Sequence, residues 1–159
     1  MKNIFIALIG FLLVTGVIND VINDVVSLYE KSPGITFVLS LDSNISEVTA
    51  DKQEMNRVFQ NIIKNSVQSI YSEGVIKIVS QENDSYVYVC VEDTGEGMDD
   101  ETMAKLFEPN FSTKSSGMGL GLSITKKSLD SMDATIKYQS EKAKGTKVTL
   151  KISKQFKGV

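Results

Sequence analysis

EDTGEGM, residues 92–98, ends a run of alternating apolar residues with an aspartate and two glycines. The run before it, 86–91, has the period-two alternation of a strand. Asp93 therefore stands where a strand gives way to a loop, and its carboxylate is a fixed acceptor that an adenine's exocyclic amine, a donor, could meet. Gly95 and Gly97 supply backbone conformations and close approaches that a side chain would forbid. By itself the pattern fits a plain glycine turn equally well, so the elements around it decide its meaning.

Upstream, residues 75–79 form a second strand, joined to 86–91 through Glu82-Asn83-Asp84-Ser85 as a hairpin. Before that, Met55, Val58, Phe59, Ile62, Ile63, Val67 and Ile70 follow helical spacing and predict a helix over 52–70. Asn61 and Asn65 lie four apart on it, so they share a face beside the apolar stripe. Amide oxygens are hard ligands, able to hold a magnesium ion that also carries phosphates, although two solvated polar residues would show the same spacing. Ile35, Phe37, Leu39 and Leu41 alternate as a half-buried strand.

Downstream, Asp99 or Asp100 caps a short helix through 106. STKSSGMGLGL, residues 112–122, alternates Gly117, Gly119 and Gly121 just ahead of a helix over 122–132, with Leu122, Thr125, Leu129 and Met132 on one side. Successive backbone NH groups with a helix N-terminus behind them make an anion site, and Lys114 on the Ser-rich stretch could reach a terminal phosphate. A flexible linker has similar composition, but would not end in a periodic helix. A second hairpin closes the chain: 135–139, a turn at Lys144-Gly145, then Val148, Leu150 and Ile152 alternating inward. The expected fold is α/β, an α+β two-layer sandwich with a mixed, mostly antiparallel sheet and helices on one face.

A chain of 159 residues supports one worthwhile core. Net charge is -3 and no basic run is long enough for a phosphate-backbone footprint, which argues against nucleic acid. The single cysteine, Cys90, lies in the apolar strand pattern and reads as a buried structural thiol suited to a reducing, cytoplasmic compartment. The absence of histidine excludes Ser-His triads, histidine bases and histidine metal sites. Residues 4–18 are apolar and free of charge but short of the roughly 20 that span a bilayer. A signal peptide, a membrane anchor at the inner face of the cell membrane, and a helix packing on protein remain three open readings, with Lys2 the one charge ahead of the stretch. Val17, Val21 and Val25 then recur every four residues, giving one apolar helical face through which a homodimer could form, and Pro33-Gly34 ends that helix. The division is an apolar segment with linker helix, 1–31, and a domain, 32–159.

Taken in order, these pieces resemble the ATP-binding catalytic domain of sensor histidine kinases, of the Bergerat-type fold shared with gyrase, the heat-shock chaperone and mismatch-repair ATPases. FQNIIKNSVQSI is similar to the N box, EDTGEGM to the first glycine box, LFEPNFSTK to the F box with its lid, and GMGLGLSITKK to the second glycine box. KGTKVTLKI resembles the closing strand pair, and NDVVSLYEKSPGITFVLSL more weakly the lead-in of nitrogen-regulation type kinases. The resemblance implies ATP and Mg2+ as cofactors, with Asn65 and Asn61 at the metal and Asp93 on the adenine amine. It implies Gly95, Gly97, Gly117, Gly119, Leu120 and Gly121 at the nucleotide, Lys114 at the phosphates, Thr146 behind the base, Met98 near the ring and Phe107 anchoring the lid. Asn61 stands where related ATPases carry a water-activating glutamate, so hydrolysis should be slow and transfer favoured.

The departures matter equally. No acceptor histidine is present, so the chain cannot phosphorylate itself on histidine, and the implied partner is a histidine-bearing dimerisation domain or a response-regulator system. Gln68 replaces a basic residue usual three positions after the second asparagine, and Asp133-Ala134 replaces a glycine pair. The first reading is a kinase domain acting on a partner's histidine. A serine kinase of the anti-sigma type and a nonenzymatic ATP-dependent binding module are the alternatives.

Overall fold

The strand that ends at Asp93 is the middle strand of a five-stranded sheet in the computed structural model, which describes residues 18–48, 50–111 and 120–154. The elements are α1 (Ile18–Ser27), β1 (Ile35–Leu41), α2 (Lys52–Ser69), β2 (Gly74–Glu82), β3 (Tyr86–Asp93), α3 (Asp100–Lys105), α4 (Gly121–Asp130), β4 (Ala134–Glu141) and β5 (Gly145–Ser153). Sheet order is β1-β2-β3-β5-β4, with β1 parallel to β2 and every other pair antiparallel. The sheet is thus mixed and mostly antiparallel, as the two hairpins required.

Period-two alternation gives the sheet two unlike faces. Ile76, Ile78, Val87, Val89, Val91, Val148, Leu150 and Ile152 are buried on one, under Met55, Val58, Phe59, Ile62 and Ile63 of α2. α2 begins on Asp51, whose carboxylate accepts from the NH groups of Gln53 and Glu54. Helix α4 packs on α2 and β4, and Glu54 of α2 receives the Ser128 hydroxyl of α4.

Cys90 corrects one expectation. Its neighbours Val89 and Val91 point inward, so Cys90 faces the open side, half-buried between Val79 and Thr149, where partial burial pushes its thiol above the usual range.

Helix α1 shares this core. Ile18, Val21, Ile22, Val25 and Val26 are buried against α2, while Asp20, Asn23 and Asp24 face outward. A polar relay fixes it to the sheet: the Ser80 hydroxyl donates to Asn19 Oδ1 at 2.8 Å, and Asn19 Nδ2 donates to the Asp42 carbonyl at 2.7 Å. The apolar face of residues 18–27 is therefore occupied within the chain. Among the described residues no helix is long and apolar enough to cross a membrane, and residues 4–17 lie outside them.

The helix stops at Ser27, ahead of Pro33-Gly34, and Gly34 turns the chain into β1 with φ +74°. Asp133 takes φ +50° at the position where the resemblance expects glycine, so the turn into β4 keeps its shape with a residue type that tolerates the left-handed region. Ala134 begins β4 buried in the core.

Candidate functional site

The register of β3, β5 and β4 builds a floor at one end of the covered face. Asp93 pairs with Thr146 and Thr146 with Ser140, which makes an outer row; Val91 pairs with Val148 and Val148 with Tyr138, which makes the row behind it. The outer row is polar because it lies beyond the reach of the core, and its groups are tightly bonded. Asp93 is 3% exposed. Its Oδ1 accepts from the Gly95 NH at 3.0 Å, the Thr146 NH at 3.2 Å and the Ser69 hydroxyl at 3.2 Å. Among the described residues all three bonds end on Oδ1, which leaves Oδ2 as the acceptor for an incoming donor.

Ser140 locks the rest of the row. Its hydroxyl accepts from the Met98 NH at 2.8 Å, donates to the Gly145 carbonyl at 3.0 Å and lies 2.8 Å from Thr146 Oγ1. The Thr146 side chain is thus oriented by Ser140. Met98 is half-buried beside it.

The glycine loop is clamped from two directions. The Glu96 NH donates to the Ser69 carbonyl at the end of α2, and the Ala143 NH of the β4–β5 turn donates to the Glu96 carbonyl. A Cβ on Gly95 would strike the Ser69 hydroxyl, and one on Gly97, at φ +62°, would strike the Glu141 carbonyl. Both glycines are therefore demanded by the fit of the loop against α2 and the closing hairpin.

Asn61 and Asn65 occupy one side of α2, as their spacing required. Asn61 Nδ2 donates to the Gly121 carbonyl at 3.2 Å and to Thr125 Oγ1 at 3.0 Å, so the start of α4 is held against this face of α2. With its NH2 group engaged, Asn61 keeps its Oδ1 as an acceptor, and Gly121 lies close enough that an added Cβ would sit 3.6 Å from it. Asn65 is half-buried and carries no described hydrogen bond.

The helix starts are unlike. Asp51 caps α2 and Asp99 caps α3, accepting from the Thr102 NH, whereas Leu120 begins α4 with no side-chain cap. Among the described residues no side chain claims the first NH groups of α4, which suits an anion. Phe107, after α3, sets its ring edge-on to Tyr138 with centroids 5.7 Å apart, and Lys126 Nζ lies 5.4 Å from its centre.

Asp93, Gly95, Gly97, Met98 and Thr146 are thus gathered where the glycine loop meets the end of α2 and the β4–β5 hairpin, while Asn61 and Gly121 meet each other about two turns back along α2; Phe107 reaches the floor at Tyr138. Leu120 is exposed at the head of α4. Lys114, Gly117 and Gly119 lie outside the described residues. The sequence reading missed Ser69, Ser140 and Tyr138. Ser69 continues the four-residue spacing of Asn61 and Asn65, and Ser140 and Tyr138 continue the inward alternation of Ala134 and Ile136, so each period gives their face but not the contacts that define their roles.

Residues 50–155 match the family described as histidine kinase-, DNA gyrase B-, and HSP90-like ATPase. The signal transduction histidine-protein kinase AtoS of Escherichia coli is 35% identical over 117 residues, covering 73% of this chain and 19% of that protein. The solved catalytic domain of histidine kinase ThkA superposes with TM-score 0.75 at 29% identity, covering 86% of this chain and 91% of that one. ThkA in complex with the response regulator TrrA gives TM-score 0.73 at 28% identity, covering 86% of this chain and 40% of that one. The chain spans about a fifth of the length of AtoS.

Proposed function

Since the chain belongs to the family of histidine kinase-, DNA gyrase B- and HSP90-like ATPases, we propose that it is the Mg-ATP-binding catalytic domain of a two-component histidine kinase, passing the γ-phosphoryl group to a histidine outside these 159 residues. The carrying observation is Asp93: a buried carboxylate pinned through one oxygen by three donors, with the other oxygen left to accept. Such a group is preorganised to receive an amine without reorienting.

The residues present fit the nucleotide. Asp93 Oδ2 receives the exocyclic amine, Thr146 and Met98 bound the base, and the uncapped start of α4 with Leu120 and Gly121 faces the phosphates. Asn61 and Asn65 offer amide oxygens to Mg2+, which supplies charge neutralisation on the phosphates. The chain's own part is positioning: the Asp93 row fixes the base, and the Asn61 bond to Gly121 holds α4 at a set distance from α2. An amide engaged through its nitrogen is no base for water, which favours transfer over hydrolysis.

The absence of histidine puts the acceptor elsewhere, and the ThkA complex supports a response-regulator system as the downstream partner. The test is incubation with γ-labelled ATP and candidate partner domains. Acid-labile label on a partner's histidine supports the proposal. Acid-stable label would point to a serine kinase, and tight Mg-ATP binding with no transfer to any histidine partner would leave a binding module.

A further inference from the structure

Tyr138 stands on the second row of the floor, beside Val148, one row behind the Asp93–Thr146–Ser140 row. Its hydroxyl oxygen is buried and, among the described residues, has no hydrogen-bond partner. It is the one side-chain atom recorded in that condition among the described residues. A phenylalanine would fill the same space against Val148 and Phe107 without burying an unmet hydroxyl, so packing alone gives no reason for the oxygen.

We propose that the Tyr138 hydroxyl is a further base-reading group, donating a hydrogen bond to a ring nitrogen of the bound adenine next to the amine received by Asp93. The inference rests on the nucleotide reading above. Three observations meet here. The register puts Tyr138 on the same inward face as Asp93, Thr146 and Ser140. Phe107 closes the side of its ring towards α3, in an edge-on contact that fixes the ring plane. The oxygen is unmet, and buried polar groups find partners. Burial, with the Asp93 charge nearby adding to it, pushes the phenol far above its ordinary range, so the group remains a donor at all working pH values. A donor beside an acceptor matches adenine at its amine edge, where a ring nitrogen accepts beside an amine that donates.

The test is Tyr138→Phe in the intact chain, with ADP and its 1-deaza and 7-deaza analogues titrated by calorimetry, and melting temperature measured without nucleotide. The variant should bind ADP about 5- to 20-fold more weakly, in line with one lost neutral hydrogen bond in a buried site. Its melting temperature should hold or rise, because an unmet hydroxyl has been removed. One of the two deaza analogues should lose affinity for the parent protein and lose nothing further in the variant. Equal ADP affinity in parent and variant would overturn the role of Tyr138 while leaving the nucleotide site standing. Weaker binding with both deaza penalties unchanged in the variant would also overturn it, since the ring would then act through packing. Absence of ADP binding by the parent would overturn the nucleotide reading and this inference together.

Discussion

Asp93→Asn isolates the atom on which the proposed base recognition turns. The change keeps shape and removes charge. An amide has one oxygen and one NH2, and the surroundings dictate which goes where. Oδ1 faces three donors, the NH groups of Gly95 and Thr146 and the Ser69 hydroxyl, so the amide oxygen must take that place; the alternative sets NH2 against three donors. The NH2 group is then left at the Oδ2 position, where it meets the adenine amine donor to donor. The loss is a charge-assisted hydrogen bond, about 1.5 to 3 kcal/mol, or about a 10- to 150-fold rise in Kd. Melting temperature should change little, because the three internal bonds persist with a neutral acceptor. Calorimetric titration of ATP with magnesium into both proteins reads the ratio, and thermal unfolding reads the control. Kd values within twofold, with both proteins folded, would refute the placement of the base at Oδ2.

Other expectations follow from the same geometry. Asn65→Ala should weaken Mg-ATP binding more than metal-free ATP binding, and equal losses in paired titrations would remove Asn65 from the metal. Gly97→Ala forces a Cβ onto the Glu141 carbonyl at φ +62° and should destabilise the fold by about 2 kcal/mol or more, read by denaturant midpoint; a cost below about 0.5 kcal/mol would contradict the clamped loop. Asp133→Gly removes the left-handed cost at φ +50° and should gain about 0.5 to 1 kcal/mol, with unchanged nucleotide affinity. The Glu82 carboxyl is held below its ordinary 4.5, first by the Ser46 NH and then by Lys154. Because the folded value is the lower one, its contribution is present above about pH 4.5 and is lost as pH falls through the folded value. Glu82→Gln should accordingly flatten the acid limb of the stability profile.

Much of the layout was legible because it rests on short-range periods. The apolar residues of α2 fixed its face, both hairpins carried their turn residues, and Asp99 capped α3 as an aspartate just ahead of a helix should. Alternation also assigned Asp93 to the covered face once Val87, Val89 and Val91 were buried. Cys90 was misread because apolar composition around it outweighed parity: one residue's shift along a strand exchanges faces. The recurrence of Val21 and Val25 gave helix α1 its apolar face, but not what covers it, because its burial against α2 joins segments about 35 residues apart. Ser69 and Ser140 escaped notice since a serine has no pattern of its own; their roles arise from bonds between segments 24 to 42 residues apart. Tyr138 escaped for the same reason, its contact with Phe107 joining two elements that sequence spacing does not relate.

The most direct check is a 15N-labelled amide spectrum of the chain titrated with Mg-ADP. The account predicts saturable shifts at the backbone amides of Gly95, Gly97, Gly121 and Thr146 and at the side-chain amides of Asn61 and Asn65. Ser46, Asn83 and Lys154, at the opposite end of the sheet, should stay in place. Shifts confined to that opposite end, or a spectrum unmoved at millimolar nucleotide, would contradict it.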